Sequence, residues 1–85
     1  MPTVHRADGL RFVIYLNDHE PAHVHAIAGA AEARIELGTA EQNPQVVWVR
    51  GMGRALARRA LDEVVREAEV FRAAWRRIHE GGEDG

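Results

Sequence analysis

Three of the five histidines of this 85-residue chain lie close together in the segment Asn17-Asp18-His19-Glu20-Pro21-Ala22-His23-Val24-His25. Imidazole nitrogens are common ligands of transition metals, and two histidines at positions i and i+2 of a strand project from the same face. His23 and His25 have that spacing, and His19 is the candidate third ligand. The segment therefore predicts a site for a divalent, zinc-like ion with an open fourth position for water.

Carboxylates near the histidines widen the range of chemistry. Asp18, Glu20 or the later Glu36 is a candidate oxygen ligand, or an acceptor that orients an imidazole. Without a metal, His23 or His25 beside Glu20 or Glu36 is a candidate catalytic acid–base group. A polar cluster that stabilises the fold or contacts a protein partner accounts for the same residues. The sequence leaves these three interpretations open.

Composition excludes several other functions. The chain contains neither cysteine nor serine, which excludes disulfides, thiolate metal sites and nucleophilic catalysis by those side chains. Its formal charge of −2 disfavours general nucleic-acid binding, because phosphate affinity needs a concentrated basic surface. No apolar run approaches the roughly 20 residues that cross a bilayer. We therefore expect one small domain, without a membrane segment, in the cytoplasm.

Two β-hairpins are predicted to position the histidines. Residues 3–7 and 10–16 are predicted strands around Asp8-Gly9, a dipeptide typical of two-residue turns. This register sets Arg6 opposite Arg11, and like charges directly opposite each other are unfavourable. We therefore expect a β-bulge to shift the register of the first hairpin.

The second hairpin, residues 22–28 and 31–37, has a more informative register. Antiparallel pairing predicts the partners Ala28–Ala31, Ala26–Ala33 and Val24–Ile35, with His23–Glu36 and His25–Arg34 on the other face. Apolar residues thus pair with apolar ones and polar with polar. This agreement predicts that His23 and His25 lie on a polar, partly hydrated face of the sheet and not in the core.

The rest of the chain is predicted to add a fifth strand at residues 45–50 and one long helix at 54–80, followed by a frayed tail at 81–85. Apolar residues recur in the helix at alternating spacings of four and three: Ala57, Leu61, Val64, Ala68, Phe71, Trp75 and Ile78. The predicted fold class is α+β, a small and mainly antiparallel sheet of about five strands with this helix packed on one face.

The predicted helix is roughly 39 Å long, whereas a compact chain of this size measures about 30 Å across. Either one end bends or frays, or part of the apolar stripe extends beyond the sheet. In the second case Phe71, Trp75 and Ile78 are candidate partner-binding residues that cover a second copy of the chain or another protein.

Several segments together resemble the small bacterial domain-of-unknown-function family DUF4160. They are Met1-Pro2-Thr3-Val4, the histidine-rich segment 17–25, and Ala31-Glu32-Ala33-Arg34-Ile35. The resemblance implies a small protein without established activity, whose partner is encoded nearby in a toxin–antitoxin-like pair. The chain departs from the pattern where Gly53 replaces the usual serine before the helix and Ala22 replaces a second proline.

The sequence therefore leads to two functional expectations. The first is a cytosolic protein-binding module that contacts a second copy or a small protein encoded nearby. The alternative is a small metal-dependent or histidine-based hydrolase, such as a nuclease, that uses His19, His23 and His25.

Overall fold

The computed structural model describes residues 3–81, which form an antiparallel sheet of five strands and two α-helices. The sheet has the strand order β1-β2-β3-β4-β5, so each strand pairs with its neighbour in sequence. This arrangement confirms an α+β fold. Of the frayed tail predicted at 81–85, Gly81 belongs to a π-helical turn and residues 82–85 lie outside the described residues. The elements are β1 (Thr3–Ala7), β2 (Leu10–Val13), β3 (His23–Ala28), β4 (Ala31–Glu36), β5 (Gln45–Arg50), α1 (Arg54–Arg66), α2 (Ala68–Arg76) and a π-helical turn (Arg77–Gly81).

The first hairpin turns at Asp8 and Gly9, whose φ angles of 56° and 78° lie in the left-handed region that such turns require. Arg6 does pair with Arg11, and the irregularity of this hairpin lies between Thr3 and His5 instead. The expected separation of the two arginines by a bulge is therefore wrong. Because Arg6 is exposed, water screens the repulsion between the two charges.

The second hairpin has the predicted register at every position. Val24 pairs with Ile35 on one face, and His25 pairs with Arg34 on the other. The partners Val24 and Ile35 belong to the hydrophobic core, which confirms that this face of the sheet is the inner one.

The first hairpin is shorter than expected, since β2 ends at Val13 and not at residue 16. Ile14 still packs in the core, but the chain then turns, with the N–H of Asp18 donating to the carbonyl of Tyr15 at 3.1 Å. This turn takes the chain out of the sheet ladder until Ala22, whose carbonyl accepts from the N–H of Leu37, and it lays Tyr15 and Asp18 over the outer face of β3.

The C-terminal region forms two helices, and the prediction of one long helix is wrong. Glu67 separates α1 from α2 with φ −109° and ψ 28°, outside the helical region. The two helices then pack on different parts of the sheet, although both reach His5: α1 contacts β4 and β5 and touches His5 through Glu63, whereas Phe71 of α2 lies against Phe12 and His5. The apolar stripe continues on both sides of the break.

The candidate partner-binding residues Phe71, Trp75 and Ile78 do not extend beyond the sheet as an exposed apolar stripe. Phe71 and Trp75 are buried in the core of the chain itself, and Ile78 is half-buried against that core. The break at Glu67 keeps α2 against the sheet, so that these side chains do not form an exposed stripe.

None of the described helices combines the length and apolar composition needed to span a membrane.

One buried ionic group ties α1 to the first strand. The carboxylate of Glu63 contacts the Nε2 of His5 and the guanidinium of Arg66, while its side chain is only 4% exposed. Burial favours the protonated form of Glu63, but the hydrogen bonds from His5 and Arg66 outweigh it and lower the pKa of Glu63.

We predict that Glu63→Gln destabilises the fold by about 1–3 kcal/mol, chiefly because it removes the buried charge that pairs with His5, while the contact with the exposed Arg66 contributes little. Since the folded pKa of Glu63 lies below the unfolded value near 4.5, its stabilisation is present above that pH and is lost as pH falls through the folded pKa. Thermal unfolding at a series of acidic pH values measures both effects. The variant should lose stability less steeply than the wild type as the pH falls.

Glu69→Gln is the matched control, since Glu69 pairs with Arg72 at the same i, i+3 spacing but is 82% exposed. Its melting temperature should change much less. Equal effects of the two substitutions would contradict the buried role of Glu63.

Candidate metal centre

The carboxylate of Asp18 is held over the outer face of β3 by the turn that follows β2. Its Oδ2 accepts a hydrogen bond from the backbone N–H of Tyr15 at 2.9 Å, and its own N–H closes the turn. Asp18 therefore has a backbone-defined position that does not depend on other side chains. The turn is followed by a cis Glu20–Pro21 peptide bond and by the start of β3 at His23.

His23 and His25 project from the face of β3 opposite the core, as the strand alternation predicts. The prediction that this face is partly hydrated is wrong for the two histidines. The side chains of His23, His25 and Asp18 are 3%, 11% and 13% exposed. Two aromatic rings cover the imidazoles. The ring of Tyr15, in the segment after β2, meets His25 edge-on with the ring centroids 4.9 Å apart, and the ring of Trp75 in α2 has its centroid 5.3 Å from that of His23.

Asp18, His23 and His25 each direct a ligand atom towards a common point. The Nε2 of His23 lies 3.5 Å from Oδ1 of Asp18, and the Nε2 of His25 lies 3.3 Å from Oδ2. All three ligand atoms lie within 4.8 Å of one another. Two ligands held 2.0–2.1 Å from a tetrahedral zinc ion are roughly 3.3–3.4 Å apart. The nitrogen–oxygen spacing of the site therefore matches the edge of a tetrahedral metal centre.

The other ring nitrogen of each histidine has a partner that fixes the orientation of the ring. Nδ1 of His23 donates to the carbonyl of Pro21 at 2.9 Å, and Nδ1 of His25 donates to the carboxylate of Glu32 at 2.9 Å. Glu32 also accepts a hydrogen bond from Arg50. With the proton on Nδ1, a neutral imidazole presents its Nε2 lone pair, which is the form that binds a metal.

The charges of the site are set by burial and by these contacts. Burial lowers the pKa of His23 below its ordinary value, and the charges of Arg34 and His25 act in the same direction, against the Pro21 carbonyl and Asp18. Burial opposes ionisation of Asp18, but the Tyr15 N–H and the two imidazoles outweigh it, so that the pKa of Asp18 is lowered. The site thus favours an ionised carboxylate beside a neutral His23.

The remaining ligand candidates from the sequence, His19, Glu20 and Glu36, do not belong to this group of three ligand atoms. His19 is exposed, and among residues 3–81 the group of convergent ligand atoms consists of Asp18, His23 and His25. Glu20 accepts a hydrogen bond from Nε1 of Trp75 at 3.2 Å. Glu36 is the register partner of His23 on β4. The structure therefore brings together two of the three predicted histidines and one of the three candidate carboxylates.

Comparison with known proteins identifies the family of the chain. The family model described as "Domain of unknown function (DUF4160)" matches residues 9–76, which include Asp18, His23 and His25. The chain belongs to the DUF4160 family. No curated protein and no solved structure matches the chain. In this DUF4160 chain the site must therefore be interpreted from its own geometry, because the description of the family names no activity.

Sequence reasoning missed Glu32 as a part of the site. The predicted register placed His25 opposite Arg34, and Glu32 lies two residues from Arg34 on the same face of β4. Long side chains reach such diagonal neighbours across an antiparallel pair. This geometry could have identified Glu32, whereas the partner of His23 is a backbone carbonyl, which residue types do not reveal.

We predict that His23 and His25 both carry a proton on Nδ1 in the metal-free protein, because the acceptor facing Nδ1 lies at 2.9 Å in each ring, closer than the Asp18 oxygens that face Nε2 at 3.3–3.5 Å. Long-range ¹H–¹⁵N correlation NMR of the imidazole rings measures this directly. Glu32→Gln should change the ¹⁵N shifts of His25 strongly and those of His23 little. A proton on Nε2 alone in both rings would contradict the arrangement.

Proposed function

We propose that the protein binds a divalent transition metal ion through Nε2 of His23, Nε2 of His25 and the carboxylate of Asp18. The observation that carries the proposal is the spacing of 3.3–3.5 Å between the carboxylate oxygens and the two ring nitrogens. Imidazole and carboxylate ligands suit zinc and neighbouring first-row metals.

The chemistry of the three groups supports a cation at their centre. The Nε2 of His25 donates to Oδ1 of Asp18, at 3.4 Å, only when that nitrogen carries a proton. When both rings carry their proton on Nδ1 alone, the two Nε2 atoms and the Asp18 carboxylate are all acceptors, and none supplies a proton to another. Buried acceptors that face one another without a donor are unfavourable. A metal ion satisfies all three at once, and the hydrogen bonds to Pro21 and Glu32 keep the rings aligned for it.

Three protein ligands leave one position of a tetrahedral ion for water or a substrate oxygen. Catalytic zinc sites share this open position, and a metal lowers the pKa of bound water towards neutrality. The alternative of a small metal-dependent hydrolase therefore uses Asp18, His23 and His25, with the exposed His19 outside the ligand set. Metal-free acid–base chemistry would use the same His–Asp pairs.

We predict that zinc, cobalt or nickel raises the melting temperature of the untagged protein. An ion at 100 times its dissociation constant contributes about 2.7 kcal/mol, and in a domain of this size each kcal/mol raises the melting temperature by roughly 4–8 °C. Calorimetric titration gives the stoichiometry, which should be one ion per chain. If none of these ions binds or stabilises the protein, the proposal is rejected.

Two variants and a control assign the ligands. Asp18→Asn keeps the shape of the side chain and should fold, while losing most of the metal affinity, and His25→Ala should also lose it. His19→Ala is the control, because His19 is exposed and outside the group of ligand atoms. Loss of affinity in the His19 variant alone would contradict this assignment.

A second candidate function, protein binding, is supported by the surface of β5. This edge strand exposes three consecutive apolar residues, Val47, Trp48 and Val49. Beside it lies a groove of about 430 Å³ lined by Val46, Val49, Met52, Ala57 and Leu61, with Arg54 and Arg58 at its rim. Exposed apolar surface on an edge strand is typical of a contact site.

The charges around β5 favour a second copy of the chain as the partner. Glu41 precedes the strand, whereas Arg50 and Arg54 lie at and beyond its end. In a twofold antiparallel contact the start of one strand lies beside the end of the other. The acidic end would thus meet the basic end twice, with the apolar centre between them. A partner protein encoded nearby stays a prediction of the family resemblance.

We predict that Val47→Lys weakens self-association, because it places a charge at the centre of the apolar contact. Val70→Lys on α2 is the matched control, since Val70 is 50% exposed and Val47 is 46% exposed. Sedimentation at several concentrations should give a dimer for the wild type and the control and a monomer for the Val47 variant. A wild type that is monomeric at all concentrations rejects the self-association.

A further inference from the structure

Arg34 lies beside the candidate metal centre without a partner for its charge. It is the register partner of His25, and side chains directly opposite in an antiparallel pair have Cβ atoms about 4.5–5.5 Å apart. Its Nε atom is buried and has no hydrogen-bond partner in the part of the chain that the structure describes. A buried donor without a partner is uncommon and calls for an explanation.

The nearest acidic side chain on the same strand does not neutralise Arg34. The carboxylate of Glu32 receives hydrogen bonds from His25 and Arg50. Within residues 3–81 no carboxylate lies in ion-pair distance of Arg34, whereas Arg50, Arg58, Arg66 and Arg72 each have one. What distinguishes Arg34 is its place opposite His25 together with a buried Nε atom that has no partner among the described residues.

We infer that Arg34 and the open position of the bound metal together bind a small oxyanion, of the class of phosphate or a phosphate monoester. This inference rests on the proposed metal site. One oxygen of the anion would bind the metal, and two N–H groups of the Arg34 guanidinium would donate to the others. This is the fork geometry that arginine offers to phosphate.

The charge balance sets the order of binding. Asp18 alone repels an anion, but a divalent ion outweighs its charge and leaves one positive charge at the centre. Arg34 adds a second, which matches the charge of about −1.5 to −2 on a phosphate monoester at neutral pH. The anion should therefore bind only after the metal.

The size of the ligand follows from burial. The side chains of Asp18, His23 and His25 are each less than one-seventh exposed, so a compact group fits beside their ligand atoms and a folded protein surface does not. Arg34, which pairs with His25, is half-buried and is therefore neither fully covered nor fully hydrated. A phosphoryl group has the required size and charge.

The test uses the untagged protein loaded with cobalt, whose visible absorption reports its ligands. Inorganic phosphate should change the spectrum in a saturable way, and phenyl phosphate tests the monoester by the same readout. Arg34→Gln should keep the cobalt affinity within about twofold and weaken phosphate binding at least about tenfold, which corresponds to 1.4 kcal/mol. Arg34→Lys keeps the positive charge but loses the planar guanidinium, so it should weaken phosphate binding by an intermediate factor. It replaces the glutamine variant in the test if that variant does not fold.

Arg11→Gln is the matched control, because Arg11 is half-buried on the same face of the sheet and pairs with Ile27 instead of a site residue. It should bind phosphate like the wild type. If cobalt itself does not bind, the proposed function fails. If cobalt binds but phosphate leaves the spectrum unchanged, or if the Arg34 and Arg11 variants behave alike, the oxyanion inference alone is overturned.

Discussion

The placement of Asp18 over the outer face of β3 is the interaction on which the site depends. The turn from Tyr15 to Asp18 is closed by the N–H of Asp18 donating to the carbonyl of Tyr15, and the N–H of Tyr15 donates to the Asp18 carboxylate, so that backbone groups fix the position of this carboxylate. The same turn ends β2 and covers the imidazoles. Two histidines that would be hydrated on an uncovered sheet face are therefore buried, and each places a ring nitrogen close to the carboxylate of Asp18.

β3 serves two roles because its side chains alternate between two environments. Val24 and Ala26 point into the core that Phe12, Ile35 and Phe71 complete. His23 and His25 point to the other face, where polar residues of β4 lie opposite them. The hydrophobic packing of the inner face thus fixes the register, and the register fixes the geometry of the outer face.

The sequence predicted those features that depend on local periodicity. The predicted pairs of the second hairpin are all correct, because a slip of one residue would turn Val24 and Ala26 towards the polar face. The break at Glu67 was missed because backbone hydrogen bonds and the spacing of apolar residues both continue across it. At the site, the spacing of His23 and His25 was sufficient to find them. The choice of Asp18 over His19 depends on a turn whose backbone bonds no residue pattern specifies.

Glu32 connects the interior of the molecule to its edge. Its carboxylate receives one hydrogen bond from His25 and another from Arg50, whose guanidinium also lies over the ring of Trp48 at 5.5 Å. A contact that draws Arg50 away leaves this carboxylate with its hydrogen bond from the imidazole of His25 and without the one from Arg50. The metal proposed at His25 and the partner proposed at β5 would therefore be thermodynamically linked, since each would change the affinity for the other by the same factor.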